Sequence, residues 1–382
     1  MASLAKTAIV GVGTTPHGEL PGMSPDEIAV MAAADALNDA GIDKSEIDGL
    51  VTCKPPIGMY GAGTDENMAQ LLGLSPGFSS TLDYGACGFS LHLACMAIEA
   101  GLANNVLLTF GTNGRSAKQN FGVPVGAGAD WNGMHGLAHV AGPASMALRR
   151  HMALYGTTEE QFGWIAASQR EWATNNPRAV FREPLSIEQY LASPYLAAPL
   201  RRADLTMISD GGVAVVVTRA DRTDHFAGAA VFVLGMAQGS GMRGDLDQDR
   251  LQRPWIETIA RKLYSRTGVG AGDVDLAYLQ DATSVWVLQQ LEYFGFCGLG
   301  EGGAYVAEGH IRPGGDLPVN TGGGQLSESY MWNWLNLYEA VMQLRKACGP
   351  RQVPNKAEIA LHSQTHDFWK GAATILSSHD GS

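Results

Sequence analysis

Ala40-Gly41-Ile42-Asp43-Lys44-Ser45-Glu46-Ile47-Asp48 returns 227 positions later as Thr267-Gly268-Val269-Gly270-Ala271-Gly272-Asp273-Val274-Asp275. In each copy a helical stretch stops at a glycine, which enters the left-handed region without a Cβ penalty. An Ile-Asp or Val-Asp pair then leads into an apolar strand. Upstream of each copy lies another apolar strand, at 8–12 and at 230–234. Downstream, Leu82, Gly85 and Ser90 match Val319, Gly322 and Ser327 at an offset of 237. Ordered matches at nearly one offset predict a duplicated βα unit. The reading is an α/β protein of two related halves, 1–225 and 226–382.

The first helix has a clear start. Ser24 can cap, Pro25 suits the first turn, and Glu27 completes a capping box. Ile28, Met31, Ala32 and Leu37 supply its apolar face, and Gly41 ends it. Residues 115–200 have a different texture, with helical patterns at 144–155 and 157–174. The second opens on Thr157-x-x-Glu160, another capping box. So long an insertion predicts a helical subdomain over the active site. The chain returns to the core at 202–217, where Ser209-Asp210-Gly211-Gly212 precedes a Val-rich strand.

The bulk numbers fit a large, tightly turned enzyme. Of 382 residues, 45% are hydrophobic, 17% charged and 48 are glycine, which argues against disorder. The net charge of −12 and the lack of a basic stripe argue against nucleic-acid binding. The five cysteines are widely spaced with no Cys-x-x-Cys, against a disulfide framework or structural zinc. No signal-peptide core and no apolar run of spanning length stands out, so a cytoplasmic protein with reduced thiols is expected. Gly11-Val12-Gly13-Thr14-Thr15-Pro16 begins like a dinucleotide fingerprint, but Pro16 replaces the third glycine. His135 and His139 have metal-like spacing without further ligands, so no metal is expected.

Cys87 is the leading candidate for chemistry. It sits in Gly85-Ala86-Cys87-Gly88, between a strand and an apolar helix. A sulfur at a helix N-terminus gains thiolate character and can take an acyl group as a thioester. A small buried apolar residue is the bland alternative.

A duplicated half, a mid-chain helical insertion and this cysteine together resemble the thiolase superfamily. The Ser209-Asp210-Gly211-Gly212 segment resembles the family's Ser-Asp-Gly-Ala. Asn320-Thr321-Gly322-Gly323-Gly324 resembles its Asn-x-x-Gly-Gly stretch. The nearest branch is similar to the sterol-carrier-protein-type thiolases and the lipid-transfer thiolase-like aldolases. The resemblance implies a layered α-β-α-β-α fold, an acyl-CoA substrate with coenzyme A, a homodimer, and a small zinc-ribbon/OB-fold partner subunit.

The chain departs from the thiolase pattern at three places. The family's His-Asp-Cys-Phe becomes Gln280-Asp281-Ala282-Thr283, which keeps only the acid. Its Gly-His-Pro becomes Ser329-Tyr330-Met331, so Tyr330 stands where the activating His is expected. Its C-terminal Cys-x-Gly loop becomes the 361–367 stretch, with His362 and His366 but no Cys. Either His could substitute as a base near neutrality. Tyr330 resembles the tyrosine of thiolase-like retro-aldolases, which usually have a second Tyr where Gln280 lies. Cys87 N–H and the Gly322, Gly323 and Gly324 turn are candidates for an oxyanion hole, with Gln280 beside the substrate.

Two activities follow as expectations. The first is acyl transfer through a Cys87 thioester, cleaving or forming a C–C bond in a bulky or aromatic 3-oxoacyl-CoA. The alternative is retro-aldol cleavage of a β-hydroxyacyl-CoA, with Tyr330 carrying the proton and Asp281 orienting. A thiolase-fold subunit active only with its partner is the third possibility. Trp332 and Trp334, next to Tyr330, either shape a pocket or pack helices.

Overall fold

The computed structural model describes residues 5–55, 63–83, 86–119, 140–241, 252–366 (backbone only at 366) and 370–381. Strand β1 (Thr7–Thr14) is the centre of one mixed sheet. Outward on one side lie β7 (Asp210–Arg219), β4 (Asn105–Asn113), β2 (Gly49–Cys53) and β3 (Phe78–Leu82). On the other lie β8 (Val231–Ser240), β11 (Lys370–Ser377), β10 (Ile359–His366) and β9 (Leu276–Leu279). The order is β3-β2-β4-β7-β1-β8-β11-β10-β9. The two runs mirror each other in direction. β4 is antiparallel to β7 and parallel to β2; β10 is antiparallel to β11 and parallel to β9. The place of β3 in the second run shrinks to one parallel bridge, Ala277 to Val319.

The repeated sequence folds alike in both places. Helix α1 (Pro25–Ala40) ends at Gly41, φ 69, and helix α7 (Trp255–Thr267) ends at Gly268, also φ 69. A short 3-10 turn follows each, at Lys44–Glu46 and Ala271–Asp273. The aspartates at the ends of the repeats do the same work. Asp48 accepts the N–H of Asn104 and Asn105 at the head of β4, and Asp275 accepts those of Glu358 and Ile359 at the head of β10.

Helix α2 (Asp65–Leu72) joins α1 on the outer face of the first run, over a core of Val10, Leu50, Leu107 and Val216. Helix α3 (Cys87–Glu99) lies inside, between the two runs, packed with residues of both. The insertion adds α4 (Ala141–Tyr155), α5 (Glu159–Ala173), α6 (Ile187–Ala192) and a hairpin of β5 (Tyr195–Ala197) and β6 (Leu200–Arg201). Helices α8 (Ser284–Tyr293) and α9 (Gly302–Ala307) join α7 and the insertion against the outer face of the second run. Helix α10 (Gly324–Ser327) leads to α11 (Trp334–Leu344), which shares the middle layer with α3. The stacking is therefore α-β-α-β-α. No helix among the described residues is long and apolar enough to cross a membrane.

Some local readings shift. The capping box of α5 uses Thr158 and Gln161, not Thr157 and Glu160. Thr157 is instead buried against His151 Nδ1, at 3.0 Å, so the inward threonine is taken by packing. The strand after Ser209 starts at Asp210 and includes both glycines. Asp130 to Gly133, the His135/His139 pair, Gly85 and Asp367 lie outside the described residues.

The Gly-x-Gly of β1 is a packing device. A Cβ on Gly13 would lie 2.2 Å from Ala36 N and 2.3 Å from Ala32 O of α1. Gly13→Ala should therefore push α1 off the sheet and lower stability by about 1–3 kcal/mol. Gly272→Ala, where nothing lies within 4 Å, should cost far less. Chemical denaturation of the two variants checks the ordering, and equal midpoints would contradict it.

Candidate active site

Cys87 opens α3, with Ala86 before it and no side-chain cap. It is fully buried in the middle layer, in one apolar cluster with Cys53, Leu91, Tyr330 and Trp332. Burial, and then the Cys53 thiol, push its pKa well above the ordinary thiol value. A desolvated thiol far from deprotonation is a poor nucleophile. The next N–H of the helix is already used: Gly88 N–H donates to Gln364 Oε1 at 2.7 Å.

Tyr330 lies in the loop between α10 and α11. Its backbone N–H donates to Ser209 Oγ at 2.8 Å, and Ser209 Oγ also meets Ser329 Oγ at 2.6 Å. The Ser-Asp-Gly-Gly segment thus serves the site residue by residue. Ser209 pins Tyr330. Asp210 accepts the N–H of Leu20, Arg115 and Ser116, fastening the start of the insertion. Gly211 lets Met331 in, because a Cβ there would sit 1.8 Å from Met331 Cε. The Tyr330 and Trp332 rings lie 5.6 Å apart, tilted by 56°. Trp334 stacks on Phe110 at 5.7 Å and belongs to the core, as the packing reading of the aromatics has it.

The loop then turns through two left-handed residues, Trp332 (φ 46) and Asn333 (φ 74). Three residues of β10 hold it. Gln364 Nε2 donates to Trp332 O at 3.0 Å, and Asn333 Nδ2 donates to Ser363 O and to His362 Nε2, both at 2.9 Å. His362 is therefore a neutral acceptor, and burial lowers its pKa to about 4. It supports the loop rather than offering a free base to Cys87. The side chain of His366 lies outside the described residues.

Asp281 sits behind the glycine turn. Its Oδ2 accepts Gln325 N–H at 2.8 Å and Leu326 N–H at 3.3 Å, closing the first turn of α10. Its Oδ1 accepts Gln325 Nε2 and Asn336 Nδ2, and Asn336 Nδ2 also donates to Asn333 Oδ1 at 2.7 Å. Burial pushes its pKa up to about 7 against these hydrogen bonds. Gly324, at φ 58, is required here, since a Cβ would lie 2.1 Å from Asp281 Oδ2. Gly323 N–H is taken by Asn320 O at 2.8 Å, which removes it as an oxyanion donor. Residues of the insertion meet the turn. Asn176 Nδ2 donates to Gly322 O at 2.8 Å, and Val180 and Phe181 N–H donate to Glu328 O and Ser327 O.

Gln280 is fully buried, its backbone held by Ser363 O and by Gln290 Nε2. Neither end of its side-chain amide has a partner among the described residues. A buried orphan amide of this kind costs about 1–3 kcal/mol and needs a reason. Gln280 follows directly on β9, whose Leu276 and Tyr278 face the middle layer with Cys87 and Tyr330. Among the described residues no group of three or more His, Cys, Asp or Glu could hold a metal ion. Sequence reasoning missed Ser209, Asn333, Asn336 and Gln364. Ser209 and Gln364 lay in segments already matched to the family, 209–212 and 361–367, but neither was singled out there, and nothing local marks Asn333 or Asn336.

This two-run sheet around a buried cysteine helix is the thiolase fold. The family described as Thiolase C-terminal domain-like matches residues 248–378. The chain is 35% identical to the 17-hydroxy-3-oxo-4-pregnene-20-carboxyl-CoA lyase of Mycobacterium tuberculosis, over 89% of this chain and 92% of that protein. It is 33% identical to a steroid side-chain-cleaving aldolase of Thermomonospora curvata, over 88% and 90% of the two chains. The solved structure of an Ltp2-ChsH2(DUF35) aldolase superposes with a TM-score of 0.87 at 30% identity, covering 99% of this chain and 98% of that one. The chain belongs to the thiolase superfamily, in the branch of sterol-carrier-protein-type thiolases and thiolase-like aldolases.

Because its pKa is raised in the folded state, Asp281 contributes stability below about pH 4 that is lost as pH rises through about 7. Asp281→Asn removes that dependence. The melting temperature of the variant minus that of the wild type should rise between about pH 4.5 and 7.5 and then level off. A difference that stays flat with pH would refute the raised pKa.

Proposed function

We propose that this thiolase-fold enzyme cleaves a bulky, ring-bearing β-hydroxyacyl-CoA by a retro-aldol reaction, without a covalent intermediate on Cys87. The observation that carries this reading is the state of Cys87: a buried, neutral thiol whose expected histidine base is replaced by Tyr330, with His362 committed to Asn333. The names of the relatives at 35% and 33% identity, a CoA lyase and a side-chain-cleaving aldolase, support it.

The reaction needs three things from the protein. The β-hydroxyl must lose its proton, and Tyr330 is the residue assigned to relay it, in the position where the family's histidine is expected. A phenol with an ordinary pKa near ~10 passes a proton rather than storing one. As the O–H electrons form the new carbonyl, the Cα–Cβ pair moves onto Cα and into the thioester carbonyl as an enolate. Cα then takes up a proton, giving a shortened acyl-CoA and a ketone, with no net change in protons. The enolate oxygen needs donors, and the Gln280 amide is suited to it, with the N–H groups of Cys87, Gly322 and Gly324 as further candidates. Asp281 acts at one remove, by holding the turn and the Asn333 loop. Coenzyme A enters as part of the substrate.

The chain is further proposed to act as a homodimer with a small zinc-ribbon/OB-fold partner. The second component named with the Ltp2 aldolase, ChsH2(DUF35), supports a partner subunit. Thiolytic acyl transfer, the first expectation from the sequence, becomes the second reading, kept because Cys87 does open the helix that a nucleophile would use.

Steroid and aryl acyl-CoA thioesters of both kinds, β-hydroxyacyl alone and 3-oxoacyl with free coenzyme A, with the partner supplied, separate the two: the retro-aldol reading expects cleavage of the β-hydroxyacyl set. Tyr330→Phe should lower kcat by about 100-fold or more, whereas Cys87→Ala should stay near wild type. Loss in Cys87→Ala with survival of Tyr330→Phe would return the thiolytic reading.

A further inference from the structure

Gln364 joins two parts of the site that are far apart in the chain. Its carboxamide is fully buried. Its Oε1 accepts Gly88 N–H, in the first turn of the Cys87 helix, at 2.7 Å. Its Nε2 donates to Trp332 O at 3.0 Å, two residues from Tyr330. One planar group thus fixes the spacing between the helix and the loop. The fit is close, since a Cβ on Gly88 would lie 3.2 Å from Ala372 Cβ and 3.4 Å from Gln364 Cβ.

The loop needs such a tie. Trp332 is held at φ 46, a left-handed conformation unusual for a bulky residue. Its carbonyl is turned toward β10, and Gln364 is the donor that meets it there. Without this bond the Trp332 carbonyl loses its donor on β10, and the loop that carries Tyr330 loses one of its ties to that strand.

We propose that Gln364 is a positioning residue, which sets Tyr330 against the Cys87 helix for bond cleavage. The proposal rests on the retro-aldol reading for its role in turnover. Its geometry stands apart from that reading. An amide suits these two bonds because Gly88 N–H needs an acceptor and Trp332 O a donor. A glutamic acid meets both demands only while protonated: its C=O accepts from Gly88 and its O–H donates to Trp332 O. Ionised, it sets a second acceptor against the Trp332 carbonyl. Burial raises the pKa of such an acid, so loss should fall within the working range.

Gln364→Glu should therefore approach wild-type kcat near about pH 6 and fall at least tenfold, relative to wild type, by about pH 8.5. Gln364→Ala should be lower by about 100-fold at every pH, chiefly in kcat rather than KM. A Gln364→Glu profile parallel to wild type, or Gln364→Ala within about threefold of it, overturns the proposal. Hydrogen–deuterium exchange checks the tie without any substrate. Gln364→Ala should raise exchange at once in peptides covering 87–91 and 330–335. For Gln364→Glu the rise should come only at the higher pH, after correction for intrinsic exchange. A rise in one segment alone, or in neither, overturns the bridging role whatever reaction the wild type performs.

Discussion

The site depends on one side chain held on three sides: the buried amide of Asn333. Its Nδ2 donates to His362 Nε2 and Ser363 O, and its Oδ1 accepts from Asn336. Asn336 continues to Asp281, and Asp281 closes the glycine turn. A continuous chain of fully buried polar groups therefore runs from β10 through the Tyr330 loop to α10. Inside a protein such bonds are strong when complete, and each broken one leaves a group that costs about 1–3 kcal/mol. Asparagine also tolerates the left-handed backbone that the turn into α11 demands, at φ 74.

This chain reassigns groups that a thiolase would spend on chemistry. His362 takes part as an acceptor, and burial keeps it neutral. Asp281 is an anchor. Cys87 retains its place at the head of α3, but its thiol is desolvated and a neighbouring N–H is given to Gln364. The Gln280 amide stays uncommitted among the described residues. The retro-aldol proposal rests on this combination of a phenol, an orphan amide and a buried neutral thiol, which suits proton relay and enolate stabilisation.

Much of the architecture was legible because it is local. The repeat at 40–48 and 267–275 reads directly as helix stop, turn and strand, and its aspartates bond alike in both copies. The weaker match of Leu82 with Val319 survives as a single bridge beside Ala277. Ser24 and Glu27 capped α1 as their spacing requires. The cap of α5 shifted by one residue because either threonine satisfies the pattern and only packing against His151 decides between them. Cys87, Asp281 and Tyr330 were visible from motif position. Their states were not, since burial and distant partners set them. Gln364 is 276 residues from Gly88, and no pattern in either segment announces the bond.

The central claim is that carbon–carbon cleavage here proceeds with no bond to the Cys87 sulfur. Intact-protein mass spectrometry during steady turnover, with acid quenching and peptide mapping, addresses it directly. The account predicts that the chain keeps its unmodified mass while products accumulate. An acyl-sized mass increase that maps to Cys87, and that forms and decays at the rate of turnover, would contradict it.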